Sequence, residues 1–148
     1  MPRRYVAVCG ASEATPSQLD AAREVGRLLA QSGAIVINGG YGGVSAAASE
    51  GAAQEAGTVV GLLSESGREG ANPHLTISIP TGLGQGRNLL IVTAAESVIA
   101  IGGGWGTLSE IAHARRLGRP VFALDTWDVE GLERVESPQE AVRRALGD

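Results

Sequence analysis

Residues 102–107 (GGGWGT) combine four glycines with a threonine hydroxyl, directly after the apolar run 97–101. Glycine permits a positive φ and lets another molecule approach the backbone closely. The spacing predicts a helix over 105–117. The first backbone amides of a helix have no hydrogen-bond partner within the helix, and they lie at the positive end of its dipole. This segment therefore predicts an anion-binding turn whose most natural ligand is a phosphate group.

Two further turns carry small residues after apolar runs. The first run, residues 5–9, leads into Gly10, Ala11 and Ser12, and the second, 34–38, leads into residues 39–43. If all three runs are strands of one parallel sheet, the turns that follow them converge on one crevice. The predicted ligand-binding residues of the three turns are Gly10, Ser12, Gly39, Gly40, Gly42, Gly43, Gly103, Gly104, Gly106 and Thr107.

Two charged residues, Arg87 and Glu110, could take part in a reaction as well as in binding a ligand. Arg87 lies near the start of a predicted helix, before the strand that leads into the 102–107 turn, and can hold a phosphate through two hydrogen bonds. Glu110 lies early in the helix after that turn. If its neighbours Leu108 and Ile111 face away, its carboxyl faces the crevice and is a candidate general acid or base. The alternatives are a surface arginine and a carboxylate that only complements the positive helix end.

The amino-acid usage excludes several kinds of chemistry. All 12 basic residues are arginine, so the chain has no lysine for a Schiff base and is no ordinary pyridoxal-phosphate enzyme. It also lacks the lysine of a usual P-loop. The single cysteine, Cys9, lies in an apolar run and is interpreted as a small buried hydrophobic residue. The sequence predicts no metal site.

Charge and composition also limit the partners. The net charge is −4 and aromatic residues make up 3%, which argues against nucleic acid as a ligand. No apolar run approaches the ~20 residues of a membrane span, and the first apolar run is far too short for a signal peptide. We therefore expect a cytoplasmic protein that does not bind membranes.

Strands and helices are predicted to alternate along the chain. Apolar runs predict strands over residues 5–9, 34–38, 58–63, 75–79, 97–101 and 120–124. Helical spacing predicts helices over residues 17–31, 44–56, 86–94 and 105–117. Ser137-Pro138 predicts the start of a last helix, and residues 125–136 show no clear pattern.

This alternation predicts the fold class. The strands are continuous apolar runs, as expected when helices cover both faces of a sheet. We predict one α/β domain over residues 1–148, with a doubly wound, mostly parallel, Rossmann-like sheet and helices on both faces. Ligands of such sheets bind beyond the carboxyl ends of the strands, where the three turns lie.

Three motifs carry a resemblance to a known family. GGYGGVSAAASEGA, IPTGLGQGRNLLIV and GGGWGTLSEI together resemble the LOG-like superfamily, whose members were long mislabelled lysine decarboxylases. The resemblance spans residues 5–127 and is closest to the branch of the molybdenum-cofactor carrier proteins. That branch binds a phosphorylated pterin cofactor without turning it over. Relatives in the superfamily form dimers or tetramers, so the resemblance implies a homodimer or homotetramer.

A second branch, the cytokinin-activating phosphoribohydrolases, has the signature P-G-G-x-G-T-x-x-E and an upstream Arg-Lys pair. Here Gly102 stands in place of the proline, and Asn88 stands in place of the lysine. The resemblance implies that the glycine turn holds a 5′-phosphate, and that Arg87 and Glu110 would serve hydrolysis of an N-glycosidic bond, without a cofactor.

Two functions therefore stay open, beside a purely structural or partner-binding role. The first is a carrier-like binding of a phosphorylated small molecule, either the molybdenum cofactor as cargo or a nucleotide, with Arg87 and Asn88 added to the residues of the turns. The alternative is a phosphoribohydrolase that cleaves a nucleoside 5′-monophosphate to a free base and ribose 5-phosphate.

Overall fold

Seven strands form one sheet in the computed structural model, which describes residues 3–148. The strands are β1 (Tyr5–Gly10), β2 (Ile35–Asn38), β3 (Val59–Leu63), β4 (Ile77–Pro80), β5 (Ser97–Gly102), β6 (Val121–Thr126) and β7 (Glu133–Arg134). The α-helices are α1 (Pro16–Gln31), α2 (Val44–Gln54), α3 (Arg87–Ala94), α4 (Trp105–Arg116) and α5 (Pro138–Ala145).

The strand order is β4-β3-β2-β1-β5-β6-β7, and every pair is parallel. The chain builds outward from β1 to β4, then returns to place β5 on the other side of β1. The order therefore reverses between β1 and β5, which makes their carboxyl ends the switch point where such sheets bind ligands. The predicted doubly wound, parallel sheet is confirmed.

Helices cover both faces of the sheet. Buried residues of α1, α2 and α5 form one apolar cluster with the sheet, and those of α3 and α4 form a second cluster on the other face. The spacing of Ala22, Val25 and Leu29 gives α1 its buried stripe. Its start is fixed by a capping box, in which the Thr15 hydroxyl accepts from the Gln18 amide and the Gln18 side chain accepts from the Thr15 amide.

Some boundaries differ from the prediction. The unassigned residues 125–136 contain the short edge strand β7, which has no apolar pattern of its own. The strand predicted over 75–79 lies at Ile77–Pro80, and the helix predicted from 86 is preceded by a 3-10 turn at Gly84–Gly86. Among the described residues, no helix is long and apolar enough to cross a membrane.

Candidate functional site

A cavity of about 300 Å³ opens at the carboxyl ends of β1, β2 and β5. The three predicted turns do converge there, and the start of α3 completes the wall. The lining residues are Cys9, Gly10, Ala11, Ser12, Gly39, Tyr41, Gly42, Ser45, Gln85, Arg87, Asn88, Gly104, Trp105, Gly106, Thr107 and Glu110.

The turn between β5 and α4 presents open backbone to this cavity. Gly102 ends β5 with φ +70°, and Gly104 is the residue before the first turn of α4, with no side chain capping the helix. A Cβ added to Gly104 would meet nothing within 4 Å. The amides of residues 105–107 have no hydrogen-bond partner among the described residues. This end of α4 can therefore donate several N–H groups to an anion, at the positive end of the helix dipole.

Thr107 adds a side-chain donor to these amides. The residue is 3% exposed and lines the cavity. A hydroxyl group that is buried beside unpaired amides can donate to the same anion that they bind. The sequence had singled out this threonine for that role.

The turn between β2 and α2 is packed against the protein instead. A Cβ on Gly43, whose φ is +65°, would lie 2.2 Å from the Ala11 carbonyl oxygen. A Cβ on Gly39 would lie 2.9 Å from Nη1 of Arg87, and one on Gly40 would collide with Leu63. Only Gly42 in this turn borders open space. Most of these glycines are therefore required by close packing within the chain.

Arg87 is a half-buried side chain fixed to the protein, so its interpretation as a surface arginine is wrong. Nη1 donates to the carbonyls of Gly39 and Leu62, both at 2.7 Å, and Nε donates to Oδ1 of Asn88, also at 2.7 Å. The guanidinium also lies over the Tyr41 ring, 5.6 Å from its centroid. Nη2 makes no hydrogen bond with the residues described, so it is the group through which Arg87 can reach a ligand.

Asn88 connects the two helices that border the cavity. Besides accepting from Arg87, its amide Nδ2 donates to Oγ of Ser109 at 3.0 Å and to Oε1 of Gln85 at 3.3 Å. Asn88 is 3% exposed, so loss of these bonds would leave its polar atoms poorly compensated. Its main structural task is to hold Arg87 and α4 in place.

Glu110 faces the cavity, while Ile111 is fully buried in the core behind it. The Glu110 side chain is largely removed from water, and this burial raises its pKa from 4.5 to about 7. The neighbouring Cys9 thiol and the Arg87 charge partly oppose the rise. A carboxyl group with a pKa near neutrality can either donate or accept a proton, as general acid–base catalysis requires.

Cys9 was expected to be a buried hydrophobic residue, and it is buried at the end of β1. It also lines the cavity beside Glu110. Burial and the Glu110 carboxylate raise the pKa of the Cys9 thiol well above its ordinary value, so the sulfur stays protonated. A protonated thiol is a weak nucleophile, so Cys9 serves here as a neighbour that tunes Glu110.

The structure does not bring every predicted residue to the cavity. Gly40, Gly43 and Gly103 lie outside its lining, because they pack against Leu63, the β1 turn and Trp127 respectively. Residues that the sequence reasoning did not assign to the site are Cys9, Ala11, Tyr41, Ser45, Gln85 and Trp105. The two aromatic residues had a signal in the sequence, since each interrupts a glycine run. Within residues 3–148, no three His, Cys, Asp or Glu side chains come together as a metal site.

Comparison with known sequences gives clear matches over the whole fold. The model of the SLOG cluster4 family matches residues 3–146. A protein of Archaeoglobus fulgidus, described only as uncharacterized, is 40% identical over 147 residues, which cover 99% of this chain and 97% of the relative.

Solved structures match over the same length. The molybdenum cofactor binding protein from the phototrophic bacterium Rippkaea orientalis superposes with a TM-score of 0.93 at 32% identity, covering 97% of this chain and 96% of that one. The molybdenum cofactor carrier protein from Chlamydomonas reinhardtii superposes with a TM-score of 0.88 at 28% identity, covering 99% and 100% of the two chains.

Proposed function

The chain belongs to the SLOG cluster4 family, and on this premise we propose that it binds a phosphorylated small molecule in the cavity and holds it unchanged, as a carrier does. We further propose that the ligand is the molybdenum cofactor, because the Rippkaea and Chlamydomonas proteins are named for binding or carrying that molecule. The cofactor is cargo in this proposal and takes no part in a reaction.

One observation carries the proposal, namely the start of α4. Gly104, the residues 105–107 that carry its unpaired amides, and thus the Thr107 hydroxyl all belong to the lining of the same cavity. A phosphate group there would accept hydrogen bonds from several fixed donors and interact favourably with the helix dipole. Nη2 of Arg87 would add a charged donor from the opposite wall.

Glu110 favours a second function, hydrolysis of a nucleoside 5′-monophosphate to a free base and ribose 5-phosphate. Its carboxyl lies in the cavity one helical turn beyond the proposed phosphate site, and its pKa of about 7 suits proton transfer. In this reading Glu110 would act as the general acid or base, and Arg87 would hold the substrate. The carrier reading ranks first because Asn88, where the hydrolase signature has lysine, is committed to structural hydrogen bonds.

Two assays on the purified protein separate the functions. In the first, the protein is incubated with a panel of nucleoside 5′-monophosphates, and free base is measured by chromatography. In the second, it is mixed with molybdenum cofactor released from a molybdoenzyme and desalted, and the retained pterin is measured by fluorescence after oxidation. We expect retained pterin and no released base.

The Glu110→Gln variant is the control in both assays. Base release that the variant loses would establish the hydrolase and remove the carrier reading. If neither pterin is retained nor base released, both proposals are wrong.

A further inference from the structure

We propose that Trp105 is a stacking surface for a planar heteroaromatic ring, so that the cavity selects phosphorylated ligands with a pterin or purine ring over sugar phosphates. This inference rests on the proposed phosphate site and names the part of the ligand that lies beside the phosphate. Trp105 is 78% exposed, the largest exposed fraction among the large hydrophobic residues described. Indole faces attract other aromatic rings, and stacking on them is tolerant of ring type.

Trp127 supports Trp105 from the protein side. The two ring centroids lie 5.3 Å apart, with an angle of 35° between the ring planes. Nε1 of Trp127 donates to the Gly104 carbonyl at 3.0 Å, and a Cβ on Gly103 would lie 3.0 Å from the same nitrogen. Trp127 is thus fixed to the β5–α4 turn, and its ring packs against Trp105 and restricts the motion of that side chain. A supported ring loses less freedom when a ligand stacks on it.

Trp105 is both part of the cavity lining and largely exposed. Trp105 lines the cavity, whereas Trp127 contacts Trp105 but is absent from the lining. Because 78% of Trp105 is exposed, its contact with Trp127 leaves most of its surface uncovered. A ring that enters the cavity mouth can lie against this uncovered surface.

The position of Trp105 also fits a ligand with both a phosphate and a ring. Trp105 is the first residue of α4, so its own amide is one of the unpaired donors of the proposed phosphate site. The cavity volume of about 300 Å³ is at the lower end of the range for small-molecule pockets, roughly 300–1,000 Å³. A ligand whose phosphate sits at the helix end would therefore extend its ring toward the rim, where the indole stands.

The test compares ligands that differ in the ring. Dissociation constants are measured by calorimetry for GMP, for a pterin with a phosphorylated side chain, and for ribose 5-phosphate. We expect at least one of the two ring ligands to bind the wild type more tightly than ribose 5-phosphate. Trp105→Ala should weaken that ligand by on the order of 10- to 100-fold and leave ribose 5-phosphate unchanged.

Three further variants serve as controls. Trp105→Phe should keep most of the affinity, because it keeps a ring. Leu117→Ala, which removes another exposed apolar side chain at the far end of the same helix, should change nothing. Trp127→Phe leaves Trp105 as the only tryptophan, whose fluorescence should then respond to the ring ligand and not to ribose 5-phosphate.

The outcomes separate this inference from the proposed function. If none of the three ligands binds the wild type, the proposed phosphate site is wrong, and so is the stacking surface that depends on it. Stacking on Trp105 is wrong, and the phosphate site is kept, in either of two cases. In the first, ribose 5-phosphate binds as tightly as the ring ligands. In the second, Trp105→Ala weakens the binding of all three ligands equally. A change in oligomeric state without a change in affinity would assign Trp105 to a contact between copies of the chain and overturn the inference.

Discussion

The two glycine-rich turns of this protein look alike in sequence and differ in what occupies the space beside them. In the β2–α2 turn, the space beside Gly39 is filled by the Arg87 guanidinium, and that beside Gly43 by the β1 turn. In the β5–α4 turn, the space beside Gly104 is empty, and the nearest atoms to a Cβ on Gly106 would be 3.9 Å away. Most glycines of the β2–α2 turn are packed against the chain, whereas Gly104 and Gly106, at the start of α4, border open space and line the cavity.

The difference teaches that a glycine run can serve two purposes. Where a Cβ would collide with the chain, glycine is needed for folding. Where a Cβ would meet nothing, glycine leaves room for a molecule that binds later. Three experiments test this division.

The largest effect is expected from Gly43→Ala in the β2–α2 turn. The new methyl group would lie 2.2 Å from the Ala11 carbonyl oxygen, on a backbone with φ +65°. Backbone strain and overpacking together should lower the free energy of unfolding by at least about 3 kcal/mol. Urea unfolding followed by circular dichroism measures the loss.

Gly42→Ala is the matched control in the same turn. Gly42 has no positive φ, and its Cβ would meet nothing within 4 Å. Its free energy of unfolding should not fall, and it should rise by up to about 1 kcal/mol because alanine restricts the unfolded chain. Equal losses in the two variants would contradict the distinction between packed and open glycines.

An intermediate effect on the free energy of unfolding is expected from Glu110→Gln, in the helix that follows the β5–α4 turn. Because burial raises the Glu110 pKa from 4.5 to about 7, the folded protein retains a proton between these pH values that the unfolded chain releases. Stability therefore falls as pH rises through this window, by up to about 3 kcal/mol at about 1.4 kcal/mol for each pH unit. Glutamine does not ionise, so the variant should gain stability over the wild type at pH 8.5 and little at pH 4.

The measurement is a series of urea unfolding curves from pH 4 to pH 9. The stability of the wild type should fall relative to that of the variant between pH 4.5 and pH 7.5. If it does not, the Glu110 carboxyl is not desolvated. The β2–α2 turn contains no such acid, so Gly43→Ala should shift the whole pH curve evenly.

The smallest effect is expected from Gly106→Ala, which should change stability and binding in opposite directions. Alanine in the first turn of α4 favours the helix, and the nearest side-chain atoms to its methyl group would be 3.9 Å away. The free energy of unfolding should rise by about 0.5–1 kcal/mol. The methyl group would also stand at the cavity wall, so phosphate ligands should bind about 10-fold more weakly, as after loss of one charged hydrogen bond.

Thermal unfolding and calorimetry with the bound ligand measure the two changes. Gly51→Ala is the control for a helical glycine with a packed environment, since its Cβ would lie 1.9 Å from the Arg23 carbonyl oxygen. That variant should be destabilised. A Gly106→Ala protein that binds phosphate ligands normally would remove Gly106 from the proposed site.

The sheet and most helices follow from local patterns, which is why they could be predicted. Apolar runs and helical spacing are set by residues close in sequence, and they located six of the seven strands. The strand β7 has only two residues, Glu133 and Arg134, which pair with Phe122 and Ala123 of β6. No side-chain pattern could reveal it. The resemblance to the LOG-like superfamily and its carrier branch is confirmed by the family match and by the solved structures.

The location of the cavity could be predicted because the carboxyl ends of parallel strands share an edge. The environment of each side chain could not, because it depends on distant contacts. Cys9 and Glu110 are 101 positions apart in the sequence, yet their proximity influences the pKa values of both. The two carbonyl acceptors of Arg87 come from Gly39 and Leu62, on two other strand ends. Sequence spacing alone contains no sign of either arrangement.

The hydrogen bonds of Asn88 also bear on how this chain could evolve. Asparagine accepts from Arg87 and donates to Ser109, whereas lysine, the residue of the phosphoribohydrolase signature at this place, can only donate. A mutation of Asn88 to lysine would leave Arg87 Nε without its acceptor at a buried position. In this chain, such an exchange would therefore also require a new contact between α3 and α4 in place of the hydrogen bonds that Asn88 makes with Arg87 and Ser109.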